Sequence, residues 1–240
     1  MAFDSQFIHW PTLGAFVAYL QSVPRPPWCN ALTNHNTYHP NEAEWRGLAS
    51  MQSMQATYIA RGWTSGPHLY LAAQAPNPAN TGIWQMTPIT RPGTHAGACN
   101  PNHLGIESVG DFNARPPTPD QYTLLMAVNR AILMRWGIPP EKVNVHNECM
   151  AGRICPGKYL TGTQIRADLN KTWLPVPDRW PARVVGLPVY QQSDHSGALW
   201  GHLRSDQDVV IDDLSNGHVA EVDGQHAPIG FVDLKGLETR

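Results

Sequence analysis

Apolar positions along 119–136 recur at the spacing of an amphipathic helix, with Leu124, Leu125, Val128, Ile132 and Leu133 forming one stripe. Thr118 or Asp120 can cap it, Pro119 suits a first-turn position, and Gly137-Ile138-Pro139-Pro140 stops it. A second helical pattern runs from Glu42 to Arg61 through Trp45, Leu48, Met51, Ala56 and Ile59, with Gly62 as its stop. Residues 12–22 read as a short helix or an extended arm, ended by Pro24, Pro26 and Pro27, and 161–173 reads as a last helix. Short apolar runs between these predict strands at Cys29–Thr33, 69–72, 83–86 and 103–109. Strands alternating with helices predict an α/β domain with a mixed central sheet flanked by helices.

Beyond residue 174 the pattern changes. Pro175, Pro177 and Pro181 predict a stiff linker. Short β-runs follow at 184–185, 188–190, 198–200, 209–211, 219–222 and 229–232, broken by Gly, Asn, Asp and Ser. The expected organisation is a domain over 1–174 and a small all-β module of barrel type over 183–240. Charge shifts at the same place. Residues 183–240 carry nine acidic against four basic side chains, whereas 1–182 carry ten against thirteen.

Bulk composition narrows the functional classes. At 42% apolar and 15% charged residues the 240-residue chain is globular, and a net charge of −2 gives no basis for a nucleic-acid or membrane partner. No apolar run approaches the ~20 residues that span a bilayer. Asp4 and His9-Trp10-Pro11 interrupt the N-terminal region, so no secretion signal is expected. Four cysteines do not make a disulfide scaffold, and Cys29, Cys99 and Cys149 are expected to be buried thiols in a chain made in a reducing cytoplasm.

The densest chemistry lies at 143–157, where His146, Glu148, Cys149, Arg153 and Cys155-Pro156-Gly157 follow the long helix in what reads as a loop. His, Cys and carboxylate side chains bind zinc, and a catalytic zinc site takes three protein ligands plus water. His35, at the end of a short apolar run, is the best third donor. On the residues alone, Cys149 at three residues from His146 rivals Cys155 at nine, and His35 is equally readable as a loop histidine. His39 is a poor partner for His35, because Pro40 opposes a helical pair.

Four ordered segments carry a family resemblance: His35-Asn36-Thr37, Thr94-His95-Ala96-Gly97, Leu104-Gly105-Ile106-Glu107, and His146 with Cys155-Pro156-Gly157. Across 30–173 the chain resembles the zinc N-acetylmuramoyl-L-alanine amidases, which include the T7 lysozyme type, the cytoplasmic anhydromuropeptide amidases and the peptidoglycan recognition proteins. The resemblance implies Zn2+ held by His35, His146 and Cys155, with Glu107 as general base and Arg153, where many relatives have Lys, stabilising the oxyanion. His95 is expected to line the cleft beside the scissile bond, with a structural loop histidine equally readable, and Tyr38 and Trp84 are candidate substrate-binding residues of the groove, with a core role as the alternative reading. Pro67 stands where T7-type enzymes have a tyrosine, so the chain leans on Glu107 as the acid-containing branch does. The implied substrate is bacterial peptidoglycan, cut between N-acetylmuramic acid and L-alanine. The C-terminal runs resemble bacterial SH3-like wall-binding modules. Together these imply a monomeric phage endolysin made in the host cytoplasm and acting on the wall after release. A recycling amidase and a non-catalytic peptidoglycan-binding protein are the alternatives; the latter commonly lacks a zinc ligand.

Overall fold

A computed structural model describes residues 3–171 and, further on, five strands between 188 and 231. The chain divides into two compact units, Met1–Leu169 and Asn170–Arg240. The first contains strands β1 (Ile8–Trp10), β2 (Ala31–Asn36), β3 (Leu69–Ala72), β4 (Gly82–Gln85), β5 (His103–Ser108) and β6 (Val143–Val145). The helices are α1 (Leu13–Gln21), α2 (Leu48–Ala60), α3 (Pro119–Trp136), α4 (His146–Cys149) and α5 (Gly162–Lys171), the last ending two residues past the boundary of the first unit. The sheet order is β1-β4-β3-β5-β2-β6. β5, β2 and β6 run parallel, β3 is parallel to β5, and β4 is antiparallel to both β3 and β1. This is the expected mixed sheet flanked by helices.

Local chemistry sets the element ends. Thr118 and Gln121 form a reciprocal capping box on α3, and Gly137 closes it in the left-handed region at φ 61°. The sequence pattern overextends α2. Asn41 accepts from the Ala43 amide, Glu44 accepts from the Asn41 amide, and Gly47 turns with φ 59°, so residues 42–47 form turns before the helix begins. Residues 12–22 resolve into α1, capped by the Thr12 hydroxyl. Two short strands escape the hydrophobic pattern: β1, with His9 at its centre, and β6, inside the segment read as a loop.

β2 is buried along its whole length, as a central parallel strand is. Successive side chains alternate between faces. On one face of the sheet, Tyr70 of β3 and Trp84 of β4 cluster with Met51 and Met54 of α2 and with Trp45 and Met86. The other meets α3, where the Asn34 and Asn129 amides exchange two hydrogen bonds of 3.1 and 3.0 Å. Both asparagines are fully buried, so each satisfies a group that would otherwise lack a partner.

In the second unit, strands β7 (Pro188–Tyr190), β8 (Leu199–His202), β9 (Asp208–Leu214), β10 (Gly217–Asp223) and β11 (Gly230–Phe231) form one antiparallel sheet, ordered β8-β7-β11-β10-β9. The expected proline linker lies outside the described residues.

The Asn34–Asn129 pair generates a stability prediction. Asn129→Leu strands the Asn34 amide and is expected to cost about 1–3 kcal/mol in urea unfolding. The double variant Asn34→Leu/Asn129→Leu is expected to recover part of that loss, because neither side then carries an unpaired buried group.

Candidate metal centre and its cleft

The site begins with strand register. β2 aligns His35 with Glu107 on β5, β5 aligns Glu107 with Tyr70 on β3, and β3 aligns Tyr70 with Trp84 on β4. Trp84 in turn faces His9 on β1. In-register neighbours share a face, so these five side chains form one row across the sheet. On the other flank, β6 pairs Val145 with Asn34, which brings His146 to the level of His35. The segment read as a loop is therefore a strand passing directly into a helical turn, with His146 at the junction.

His35, His146 and Cys155 converge, their ligating atoms all within 4.8 Å of one another. His35 Nδ1 lies 3.1 Å from His146 Nδ1 and 3.7 Å from Cys155 Sγ. Tetrahedral zinc with its usual bond lengths sets edges of about 3.3 Å between two nitrogens and about 3.6 Å between nitrogen and sulfur. The separations fit a zinc-sized cation. The sulfur belongs to Cys155; Cys149 faces elsewhere.

Hydrogen bonding fixes which nitrogen of His35 faces the group. The His103 carbonyl can only accept, so His95 donates to it through Nε2 at 3.0 Å. His95 is neutral, burial holding its pKa down to about 3, which leaves Nδ1 as an acceptor. His35 Nε2 donates to that atom at 3.0 Å, and the His35 Nδ1 lone pair therefore points at His146 and Cys155. Gly105 makes this chain possible, because a Cβ there would stand 2.6 Å from the His95 ring.

Burial disfavours charge at each of these groups. Burial, then His95 and His146, holds His35 well below the ordinary imidazole value, and burial, then Arg153, lowers His146 to about 4. Burial raises the Cys155 thiol, with the Glu107 charge adding to it and the Asn36 amide and Arg153 opposing. Burial pushes Glu107 up to about 8. Its Oε1 lies 3.8 Å from His35 Nδ1, and its Oε2 is buried without a hydrogen-bond partner, as is His146 Nε2. Two neutral imidazoles, a thiol and an unpaired carboxyl oxygen make a donor set suited to a cation.

The remaining expected residues fall in different surroundings. His95 does not line an open cleft; it is buried behind His35 with both ring nitrogens engaged. Trp84 is a core residue, stacked on His9 and donating to the Asn80 carbonyl. Tyr38 is 53% exposed at the end of β2 with φ 58°, a rare conformation for a side chain of its size. Arg153 is exposed beside His146 and Cys155, while Glu148 pairs with Arg166 through both oxygens at 2.9 Å. Cys99 and Cys149 are not thiols: they form a disulfide with Cα atoms 5.7 Å apart. Tyr58 and Tyr70 were not foreseen near the site. Their hydroxyls lie 3.2 Å apart, and the pKa of each is raised by burial and by the Glu107 charge. Tyr58 is one turn beyond Met54, on the face α2 turns to the sheet, which was the available signal.

A family profile described as N-acetylmuramoyl-L-alanine amidase matches residues 24–158, more than half of the chain. The chain belongs to the N-acetylmuramoyl-L-alanine amidase family. All of the candidate metal centre lies within the matched amidase region. Among solved structures, the amidase-family chain is similar to N-acetylmuramoyl-L-alanine amidase LysC from Clostridium intestinale, with 27% identity, 61% of this chain and 87% of that chain covered, and a TM-score of 0.48. It is also similar to Drosophila PGRP-LB, with 20% identity, 73% and 92% covered, and a TM-score of 0.48. A mutant endolysin from Bacillus subtilis shows 18% identity, 61% and 92% covered, and a TM-score of 0.45. A comparison with curated protein sequences returned no match.

The anchoring of α4 generates a pH prediction. Arg166 and then the Val145 amide hold the Glu148 carboxyl below its ordinary value, against the opposing effect of burial. A depressed carboxyl stabilises the fold above its unfolded pKa of about 4.3, and the contribution fades as pH falls through the folded value. Thermal melts are expected to show the wild type above Glu148→Gln at pH 6, with the gap closing progressively below about pH 4.3.

Proposed function

We propose that this chain is a zinc-dependent peptidoglycan amidase that hydrolyses the bond between the lactyl group of N-acetylmuramic acid and L-alanine. The observation carrying the reading is the convergence of His35, His146 and Cys155 on one point, with Glu107 in register beside His35. His35 and His146, through Nδ1, and Cys155, through Sγ, would hold the metal. When bound there, zinc supplies Lewis-acid polarisation of the amide carbonyl and acidifies water.

The chain's own groups supply the rest. Glu107 has a proton affinity near neutrality, as general-base chemistry at neutral pH requires. Its unpartnered Oε2 accepts the proton of the attacking water and returns it to the leaving amine of L-alanine. His95 holds His35 in the tautomer that directs Nδ1 to the metal. Arg153 places a permanent cation at the rim, where oxyanion charge develops. Exposed Tyr38, held in its strained conformation at the same end of β2, is a substrate contact. The setting is that of an endolysin, with the 183–240 module, SH3-like in its expected form, serving wall attachment.

Digestion of purified walls tests the reaction. The expected products are new L-alanine amino termini without new reducing sugars, abolished by chelator and restored by zinc. Lysis insensitive to chelation contradicts the reading. Cys155→Ser is expected to lose metal. Glu107→Gln is expected to keep fold and zinc while turnover falls by about two to four orders of magnitude, mainly in kcat. Activity within a few-fold of wild type removes Glu107 as base.

His95 yields a separate outcome. His95→Ala is expected to weaken zinc binding about 10–100-fold in a chelator competition, the usual effect of losing a partner behind a ligand. His95→Gln, which offers both an acceptor and a donor, is expected to restore part of that affinity.

A further inference from the structure

The geometry points to a second, thiol-gated zinc site formed by Cys99, His103 and Cys149 when the disulfide between the two cysteines is reduced. This inference is independent of the first centre, because it shares no ligand atom with it. Cys99 ends the 3-10 turn Gly97–Cys99, His103 opens β5, and Cys149 ends α4. Their ligating atoms all lie within 4.8 Å of one another. Two sulfurs and one imidazole nitrogen form a donor set that favours zinc over harder cations.

The surroundings suit the exchange. All three residues are half-buried, so both a thiol reductant and a metal ion have access. Thr33 Oγ1 lies 2.8 Å from His103 Nδ1 and 3.6 Å from Cys149 Sγ, which puts a hydroxyl beside the vacated S–S bond. The 3-10 turn is already held against α4: Gly97, at φ 56°, sits where a Cβ would meet Met150 Sδ at 2.6 Å. The ligands thus remain gathered without the covalent bond.

The chemistry balances with a small-molecule thiol as reductant. Two R–SH reduce Cys99–Cys149 to two thiols and leave as R–S–S–R. The thiols release their protons to solvent on taking up Zn2+, and oxidation reverses the sequence by expelling the metal. Either state ties α4, and with it His146 three residues earlier, to the turn that follows His95. The reduced chain in a thiol-rich compartment would hold the clip as a zinc site, and the oxidised chain as a disulfide.

The test is zinc stoichiometry of the full chain, equilibrated with buffered Zn2+ in oxidised form and again after phosphine reduction, with thiols counted in parallel. The expected result is one additional zinc per chain on reduction, accompanied by two additional thiols. Cys99→Ser or Cys149→Ser is expected to abolish the increment, and His103→Asn to weaken it at least ten-fold. The increment is the readout: zero rising to one supports this site while overturning the first centre, and one rising to two supports both. An unchanged zinc content with both thiols free, or an increment that survives Cys99→Ser, overturns the proposal.

Discussion

Lateral register between β2 and its neighbours governs everything at the site. His35, Glu107 and Tyr70 stand side by side because β2, β5 and β3 are paired without offset, and His146 reaches the same level through β6. A slip of one residue in β2 would send His35 to the α3 face and bring Asn34 toward the cleft. The Asn34–Asn129 amide pair opposes that slip, since each buried amide would lose its partner. A polar contact on one face of the strand therefore keeps the chemistry on the other.

Burial disfavours charge along that row. Removing His35, Glu107 and Cys155 from water pushes each toward its uncharged form, yet their atoms are too close to be indifferent to one another. Ordinary packing would pair such groups; here Glu107 Oε2 and His146 Nε2 lack partners. The hydrogen-bond chain from His103 through His95 to His35 fixes one tautomer without adding charge. The result is a cluster of donor atoms that burial drives toward their uncharged forms.

The segment after β6 is held by several independent ties. Glu148 bonds Arg166 and the Val145 amide, Cys149 is bridged to Cys99, and the Asn147 amide donates to the Cys155 carbonyl. The twelve residues 146–157, carrying two of the three converging ligands, would otherwise behave as a surface loop. This density of ties explains how a four-residue helix, too short to be stable alone, keeps His146 in place.

Period and punctuation in the sequence determined the long helix, the alternation of strands and helices, and the residue types of the centre. α3 has a stripe, a capping box and a left-handed glycine, all local signals that propagate no further than one turn. His35, His146 and Cys155 were legible because their order and spacing resemble a known pattern. The boundaries of α2 and the strand β6 were less so, since a turn at Asn41 and a three-residue strand carry little periodicity. Only the tertiary structure decided which nitrogen of His35 faces His146 and Cys155, that His95 is its support, and that Trp84 belongs to the core. It also decided that Cys99 pairs with Cys149, because proximity across 50 residues is created by the folding of β5 and β6 on either side of β2 and is written in no local stretch of chain.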